Sequence, residues 1–496
     1  MTEKQLTSKR RILETFKINE PFQFAVLSED PATHELWYEV FEPTLQEAEK
    51  KQFLTIRDFL VEEIDVTFSD LGSEEKARAY LTDQVKRIVK KFRIRVGDAS
   101  LEKILYYINR DFVGYGKIDV MMRDPLIEDI SCNGVFGPVY VWHREYESIP
   151  TNVSFDSEDE LNSFVIKLAY RTGRMISVAN PILDSILADG SRIQMTYGKA
   201  VTRGGSTFTI RKFKSDPLTI VDLIKFKTVP LKLAAFLWYF IENKLDIFVC
   251  GPTASGKTTT LNCLSAFIQP DFKIITIEDT PELQLHHKNW LRSVSRPSGG
   301  SSAEISLYDL LKAAMRQRPD YIIVGEIRGA EAYTLFQAMA TGHGGFSSLH
   351  AESVASVVHR LETEPMNIPR TLVTSLDVVL IQQKLQVGGK PVRRVTSATE
   401  FVGLDTRTNE IITNEVFSYN ANTDTYQYSG RSYHLEKIAK STGKSLKDVS
   451  EEIEKRSLVL DWMVKNDIRR FKDVSEVIRG FYSNPEEIYR RIRVGS

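Results

Sequence analysis

Asp246-Ile-Phe-Val-Cys-Gly-Pro-Thr-Ala-Ser-Gly-Lys-Thr-Thr-Thr260 decides the reading of this chain. Ile247 to Cys250 is a short apolar run that reads as a buried strand. It empties into Gly251-x4-Gly256-Lys257-Thr258, and a helical pattern follows. A glycine-rich turn could match that spacing alone, but a strand before it and a helix after it are the context a phosphate cradle needs. Gly251 and Gly256 let the backbone bend so that amide N–H groups converge on anionic oxygens, and the helix starting near Lys257 adds the positive end of its dipole. Lys257 supplies a point charge for β- and γ-phosphates and Thr258 a hydroxyl ligand for Mg²⁺. The expected nucleotide ligands are therefore Gly251, Pro252, Thr253, Ala254, Ser255, Gly256, Lys257, Thr258 and Thr259.

The chain has 496 residues, too many for one core, and a formal net charge of −1. Near-neutral charge argues against a protein held to nucleic acid by bulk electrostatics. No basic stripe with interleaved aromatics stands out, so no nucleic-acid partner is expected. Cys132, Cys250 and Cys263 are scattered, with no C-x-x-C pair, so neither a zinc site nor a disulfide framework is expected. The longest apolar stretch, Leu231 to Ile241, is about half the ~20 residues needed to cross a bilayer. The charged start, Met1 to Arg11, has no apolar core after it and does not read as a signal peptide.

Outward from the loop, strands recur at Lys273 to Ile277, Tyr321 to Val324 and Phe346 to Leu349, with helical stretches between them. That alternation predicts an α/β fold with a largely parallel sheet and ligands at the strand C-terminal ends. Upstream, helical spacing from Ser73 to Tyr115 precedes a βα-type stretch with strands at Ser191 to Tyr197 and Ser206 to Lys212. Lys212 to Pro217 reads as a linker. Beyond Ser432 the pattern is helical, with start signals at Ser445-x-x-Asp448, Asp473-x-x-Glu476 and Asn484-Pro485-Glu486-Glu487. The domain layout expected is an N-terminal docking module at 1–75, an α/β domain at 76–213, a linker at 214–220, the ATPase domain at 221–400 and a β/helical extension at 401–496.

Two further strands end in acids. Ile274-Ile-Thr-Ile-Glu278-Asp279 places a carboxylate that can polarise water for attack on a γ-phosphate, with Asp279 and Glu282 as supports. Asp320-Tyr-Ile-Ile-Val-Gly-Glu326 reads as a Walker B segment in which Glu326 holds a Mg²⁺-bound water, with Arg328 at the site's edge. Thr341-Gly-His343 and Leu349-His350 flank another strand and are expected to bring two histidines near one sheet end as phosphate sensors.

Taken in order, residues 251–262, Ile-Glu-Asp-Thr-Pro-Glu (277–282), Val-Gly-Glu-Ile-Arg (324–328), Ala-Thr-Gly-His (340–343) and Leu-His-Ala (349–351) resemble the secretion ATPases of type II secretion, type IV pili and archaella. The match extends to Ala188-Asp-Gly-Ser-Arg192 and Arg203-Gly-Gly-Ser, and the helical tail resembles the archaeal branch. The resemblance implies an N-terminal α/β domain followed by a RecA-like P-loop ATPase domain with a helical C-terminal extension. It also implies ATP and Mg²⁺ as cofactors, a homo-hexameric ring and a polytopic membrane platform protein, with pilin-like subunits as indirect partners. The chain would then sit on the cytoplasmic face of the membrane. Arg192, Arg203 and Arg211 are by analogy candidate arginine fingers. Gly329 departs from the acidic residue the family often has after Glu-Ile-Arg, and the tetracysteine zinc insertion of many bacterial members is absent. Two other readings compete with a filament motor: a RecA-like ring translocating nucleic acid, and a regulatory ATP-binding module with vestigial hydrolysis, against which Glu278 and Glu326 stand.

Overall fold

A computed structural model describes residues 10–64, 73–213, 216–296 and 304–494. The chain is mixed α/β and divides into two compact units, Met1–Lys214 and Ser215–Ser496. The expected linker lies partly outside the described residues.

The first unit runs β1 (Arg11–Asn19), β2 (Gln23–Glu29), β3 (Leu36–Phe41), α1 (Glu47–Glu63), α2 (Glu74–Lys91), α3 (Asp98–Phe112) and α4 (Asp119–Arg123). It continues through β4 (Ile127–Cys132), β5 (Pro138–His143), β6 (Glu147–Ser154), α5 (Glu158–Arg171), β7 (Ile182–Ile186), β8 (Arg192–Thr196) and β9 (Thr207–Arg211). Its strands form one sheet in the order β1-β2-β3-β6-β5-β4-β9-β8-β7.

That order corrects the expectation of a separate module at 1–75. The β2–β3 hairpin joins β6 through the bridge Tyr38↔Thr151. Beside the bridge, Asn152 exchanges side-chain amide bonds with both the N–H and the C=O of Val40, at 2.7 and 2.9 Å. An aromatic of the segment lies in the core: Tyr38 is fully buried and donates to Asp124 at 2.5 Å. Alternating apolar residues in β2 and β3 need a second layer, and they find it in the same core as β4, β5 and α5. Deleting this segment would open that core.

The second unit starts with α6 (Ile220–Lys225), α7 (Leu231–Glu242), β10 (Ile247–Cys250), α8 (Lys257–Ser265), β11 (Ile274–Glu278), β12 (Trp290–Val294), α9 (Leu307–Met315), β13 (Tyr321–Val324) and α10 (Glu331–Ala340). Then come β14 (Gly344–Leu349), α11 (Val354–Glu362), α12 (Arg370–Val373), β15 (Val378–Val387), β16 (Lys390–Leu404), β17 (Ile411–Asn420) and β18 (Thr425–Tyr428). Four helices follow: α13 (Tyr433–Thr442), α14 (Leu446–Lys465), α15 (Phe471–Ser483) and α16 (Pro485–Val494). The sheet order is β12-β11-β13-β14-β10-β15-β16-β17-β18, parallel from β12 to β15 and antiparallel beyond.

α7 is apolar and buried all round from Leu233 to Ile241, the expected fate of such a helix in a protein core. No helix among the described residues is long and apolar enough to cross a membrane. The region 401–496 does not stand apart. β16 to β18 extend the central sheet, and Ile438, Val459, Leu460, Ile478 and Ile488 share a core with α7 and β10. Ser445 and Asp448 form the expected capping box of α14, whereas Asp473 and Glu476 lie inside α15, which starts two residues before Asp473 at Phe471.

Candidate active site

Strand direction decides which residues can meet. β10, β11, β13 and β14 are parallel, so the segments leaving their C-terminal ends share one edge of the sheet. The phosphate loop leaves β10, Glu278 closes β11, Glu326 follows β13 and His350 follows β14.

The loop is shaped by two glycines. A Cβ at Gly251 would fall on the carbonyl oxygen of Gln382, and Gly256 caps α8 with φ +93°, the left-handed region. Gln382, on β15, is the strap that holds this bend. Its Nε2 donates to the Ser255 carbonyl at 2.8 Å and its Oε1 accepts from Thr260 Oγ1 at 2.7 Å. Thus one buried amide ties both limbs of the loop to the sheet. The only sign of it in the sequence is a polar residue closing the apolar run Val378 to Ile381.

Lys257 is buried, and its Nζ donates to the Pro252 carbonyl at 2.9 Å and approaches His350 Nδ1 at 3.4 Å. Burial lowers its pKa, with the Glu326 carboxylate opposing. His350 Nε2 lies 2.8 Å from Glu326 Oε1. Burial, then the Lys257 charge, holds the His350 imidazole below its usual pKa. Glu326 is also paired with the Arg328 guanidinium. The acid missing at Gly329 is replaced two residues on: Glu331 Oε1 accepts from the backbone N–H of Arg328 at 2.6 Å and of Gly329 at 2.8 Å.

Glu278 is 3% exposed. Its Oε1 accepts from the N–H groups of Glu282 and Leu283 at 2.8 and 2.9 Å. Its Oε2 has no hydrogen-bond donor among the described residues, and Arg292 Nε stands 3.9 Å away. Burial pushes its pKa up to about 7, against the pull of the two N–H groups. A carboxylate with one anchored and one free oxygen, titrating near neutrality, is suited to taking a proton from water. Asp279 accepts from Ser295 Oγ at 2.7 Å and so turns from that task.

Ser255 Oγ is likewise buried without a hydrogen-bond partner among the described residues. Acceptor oxygens left open around a loop of converging N–H groups fit a nucleotide phosphate with its cation.

His343 corrects the expectation of two clustered histidines. It precedes β14 while His350 follows it, so the length of the strand, about 20 Å at ~3.3 Å per residue, lies between them. His343 Nδ1 instead meets the Ala338 carbonyl at 3.2 Å. In the first unit, Arg192 and Arg211 are cross-strand partners on the exposed face, and Arg211 lies 4.0 Å from Asp129. Arg203 sits in the loop at the other end of the β8–β9 hairpin.

The model of the type II/IV secretion system protein family matches residues 122–474, well over half of the chain. The chain belongs to the type II/IV secretion system protein family. As a secretion ATPase of that family it binds and hydrolyses ATP. Among its relatives is an uncharacterised protein of Methanocaldococcus jannaschii (MJ0900), 41% identical over 79% of this chain and 71% of its own. The type IV secretion system protein PtlH of Bordetella pertussis is 33% identical over 46% of this chain and 77% of its own. Solved structures similar to it include the VirB11 ATPase of the Brucella suis type IV secretion system. That likeness has 27% identity, 55% coverage of this chain, 92% of the other and a TM-score of 0.29. The pilus retraction motor PilT with bound ADP has 24% identity, 57% and 81% coverage, and a TM-score of 0.42. The secretion-ATPase assignment rests on the family match and on the geometry above.

Proposed function

We propose that this secretion ATPase is a motor whose hydrolysis of ATP drives assembly or secretion of a type IV pilus-like filament, a pilus or an archaellum. It acts through a polytopic membrane platform protein, with pilin-like subunits as indirect partners. The working form is a homo-hexameric ring in the cytoplasm, held at the membrane by that protein partner.

Buried Glu278, with one oxygen free at the edge where the phosphate loop leaves the sheet, carries the catalytic part of this reading. Glu278 takes a proton from the attacking water, Lys257 leaves the Pro252 carbonyl for the β- and γ-phosphates, and His350 reports on the γ-phosphate. Mg²⁺, when bound by the Thr258 hydroxyl and through water by Glu326, neutralises charge on the phosphate oxygens. Arg192 and Arg211 are candidate fingers that face each other across β8 and β9. Arg203 remains a candidate from the same hairpin.

Concentration dependence tests the ring. Specific ATPase activity is expected to rise with protein concentration and ATP to favour the assembled form by mass action. Full activity from a monomer at micromolar concentration removes the ring.

One observation favours the second reading, a RecA-like ring that moves nucleic acid. Lys86, Arg87, Lys90, Arg93 and Arg95 are exposed around Phe92, which is 40% exposed and stacked on Phe59. A gel-shift assay at low salt separates the readings, the motor reading expecting no retained oligonucleotide.

A further inference from the structure

Beyond the loop and its acids, the long β15–β16 hairpin brings one more cation to the nucleotide. Gly388-Gly389 turns this hairpin, with φ of +58° and +78°, and Arg393 lies on its returning strand opposite Lys384. Arg393 and Gln382 share the face of the hairpin that meets the phosphate loop. A Cβ at Gly256 would lie 3.0 Å from Gln382 Nε2 and 3.2 Å from Arg393 Cδ. Arg393 Nε donates to the carbonyl of Ala254, at the apex of the loop, at 3.2 Å. Its two Nη groups find no acceptor among the described residues, although the side chain is held in place at Nε.

The neighbours of the loop fix what that fork can reach. On one side of β10 stand β14 and β13, whose ends carry His350 and Glu326, with Glu278 of β11 beyond. That is the γ-phosphate side. β15 is the opposite neighbour of β10, so a nucleotide lying across the loop sends its α-phosphate and nucleoside toward the hairpin. A guanidinium anchored by one N–H and offering a planar pair of others is built for phosphate oxygens.

We propose that Arg393 is a nucleotide-binding residue supplied within the same chain, its Nη fork holding the α-phosphate that ATP and ADP share. Arg393 thereby sets affinity for both nucleotides, while the groups on the β14 side act on the γ-phosphate. The inference rests on the reading of the loop as an ATP site.

Fluorescent-nucleotide titration and steady-state ATPase assays on the full chain test it, with wild type and Lys257→Ala as references. Arg393→Ala is expected to weaken ATP and ADP in parallel, by about tenfold as for loss of a charge-assisted contact, with KM rising more than kcat falls. Arg393→Lys should recover part of the loss, because a point charge replaces the fork. Unchanged ATP and ADP affinities in Arg393→Ala would leave the residue a brace on Ala254 and overturn the proposal. A fall in kcat with ADP affinity intact would also overturn it, by moving the contact to the γ-phosphate. A wild-type chain that binds neither nucleotide would instead overturn the ATP-site reading itself.

Discussion

The two ends of the parallel strands in the second unit use the same residue types to opposite purpose. At the N-terminal end, Asp246 accepts from the Gly345 N–H at 2.5 Å, and Asp377 accepts from the Asp246 N–H at 2.9 Å while facing His434 Nδ1 at 3.6 Å. Asp320 takes the Lys273 N–H and the Lys244 ammonium, both at 3.0 Å. At the C-terminal end, Ser255 and Glu278 each keep a buried oxygen without a hydrogen-bond partner among the described residues. Satisfied carboxylates tie strands, loops and the α13 helix together. Unsatisfied ones are left for a ligand, because a buried acceptor without a donor costs free energy that only binding recovers.

The largest break in that comparison is expected from Glu278→Gln. Turnover should fall by roughly a hundredfold or more, the usual loss with a general base, while ATP still binds. Parallel binding and turnover measurements check this, and near-normal turnover alongside a dead Glu326→Gln would reverse the two roles. Stability should move the other way. The folded Glu278 carboxyl titrates near 7, above its ordinary 4.5, so the native state holds a proton that the unfolded chain releases. Stability from protonated Glu278 is present below the unfolded value and is lost as pH rises through about 7. Glu278→Gln should match wild type near pH 4 and gain at most about 3 kcal/mol by pH 8, read from denaturant midpoints. Wild-type kcat/KM should climb over the same interval as the base ionises.

Asp377→Ala probes the opposite end. It orphans the Asp246 N–H and removes the partner of His434, a loss on the order of 3 kcal/mol. Turnover per folded molecule should stay within about twofold, since this end holds no reacting group. Calorimetry with active-site titration reads both quantities, and a selective loss of turnover would break the division between the ends.

The smallest effect sharpens the comparison at the loop. Gln382→Leu keeps the bulk of the strap but removes both of its hydrogen bonds, and ATP affinity should drop about five- to tenfold. Titration calorimetry measures it. An unchanged affinity would mean that Gly251 and Gly256 hold the bend without Gln382.

Much of this was legible in the residues. The loop, the two acid-ended strands and the start of α14 are local patterns, in which a glycine spacing, an apolar run or a capping pair acts within a few residues. Two readings failed where the deciding partner was far along the chain. The 1–75 segment read as separate because its partners lie across the unit, where Asp124 accepts from Tyr38 and Asn152 pairs with the Val40 backbone. His343 and His350 read as neighbours because strand direction is not written at either residue. The residues singled out Glu278 but not its raised pKa, which comes from burial beneath residues that sequence does not place together.

By itself the sequence determined the chemistry on offer: a phosphate loop with its lysine, two strands ending in glutamates, and an α/β alternation that puts their ends on one edge. Only the tertiary structure decided which side chains face the ligand and which hold the frame. Local spacing sets backbone conformation, but burial, strand order and hydrogen-bond satisfaction depend on contacts between residues more than a hundred positions apart, such as Gln382 against Ser255.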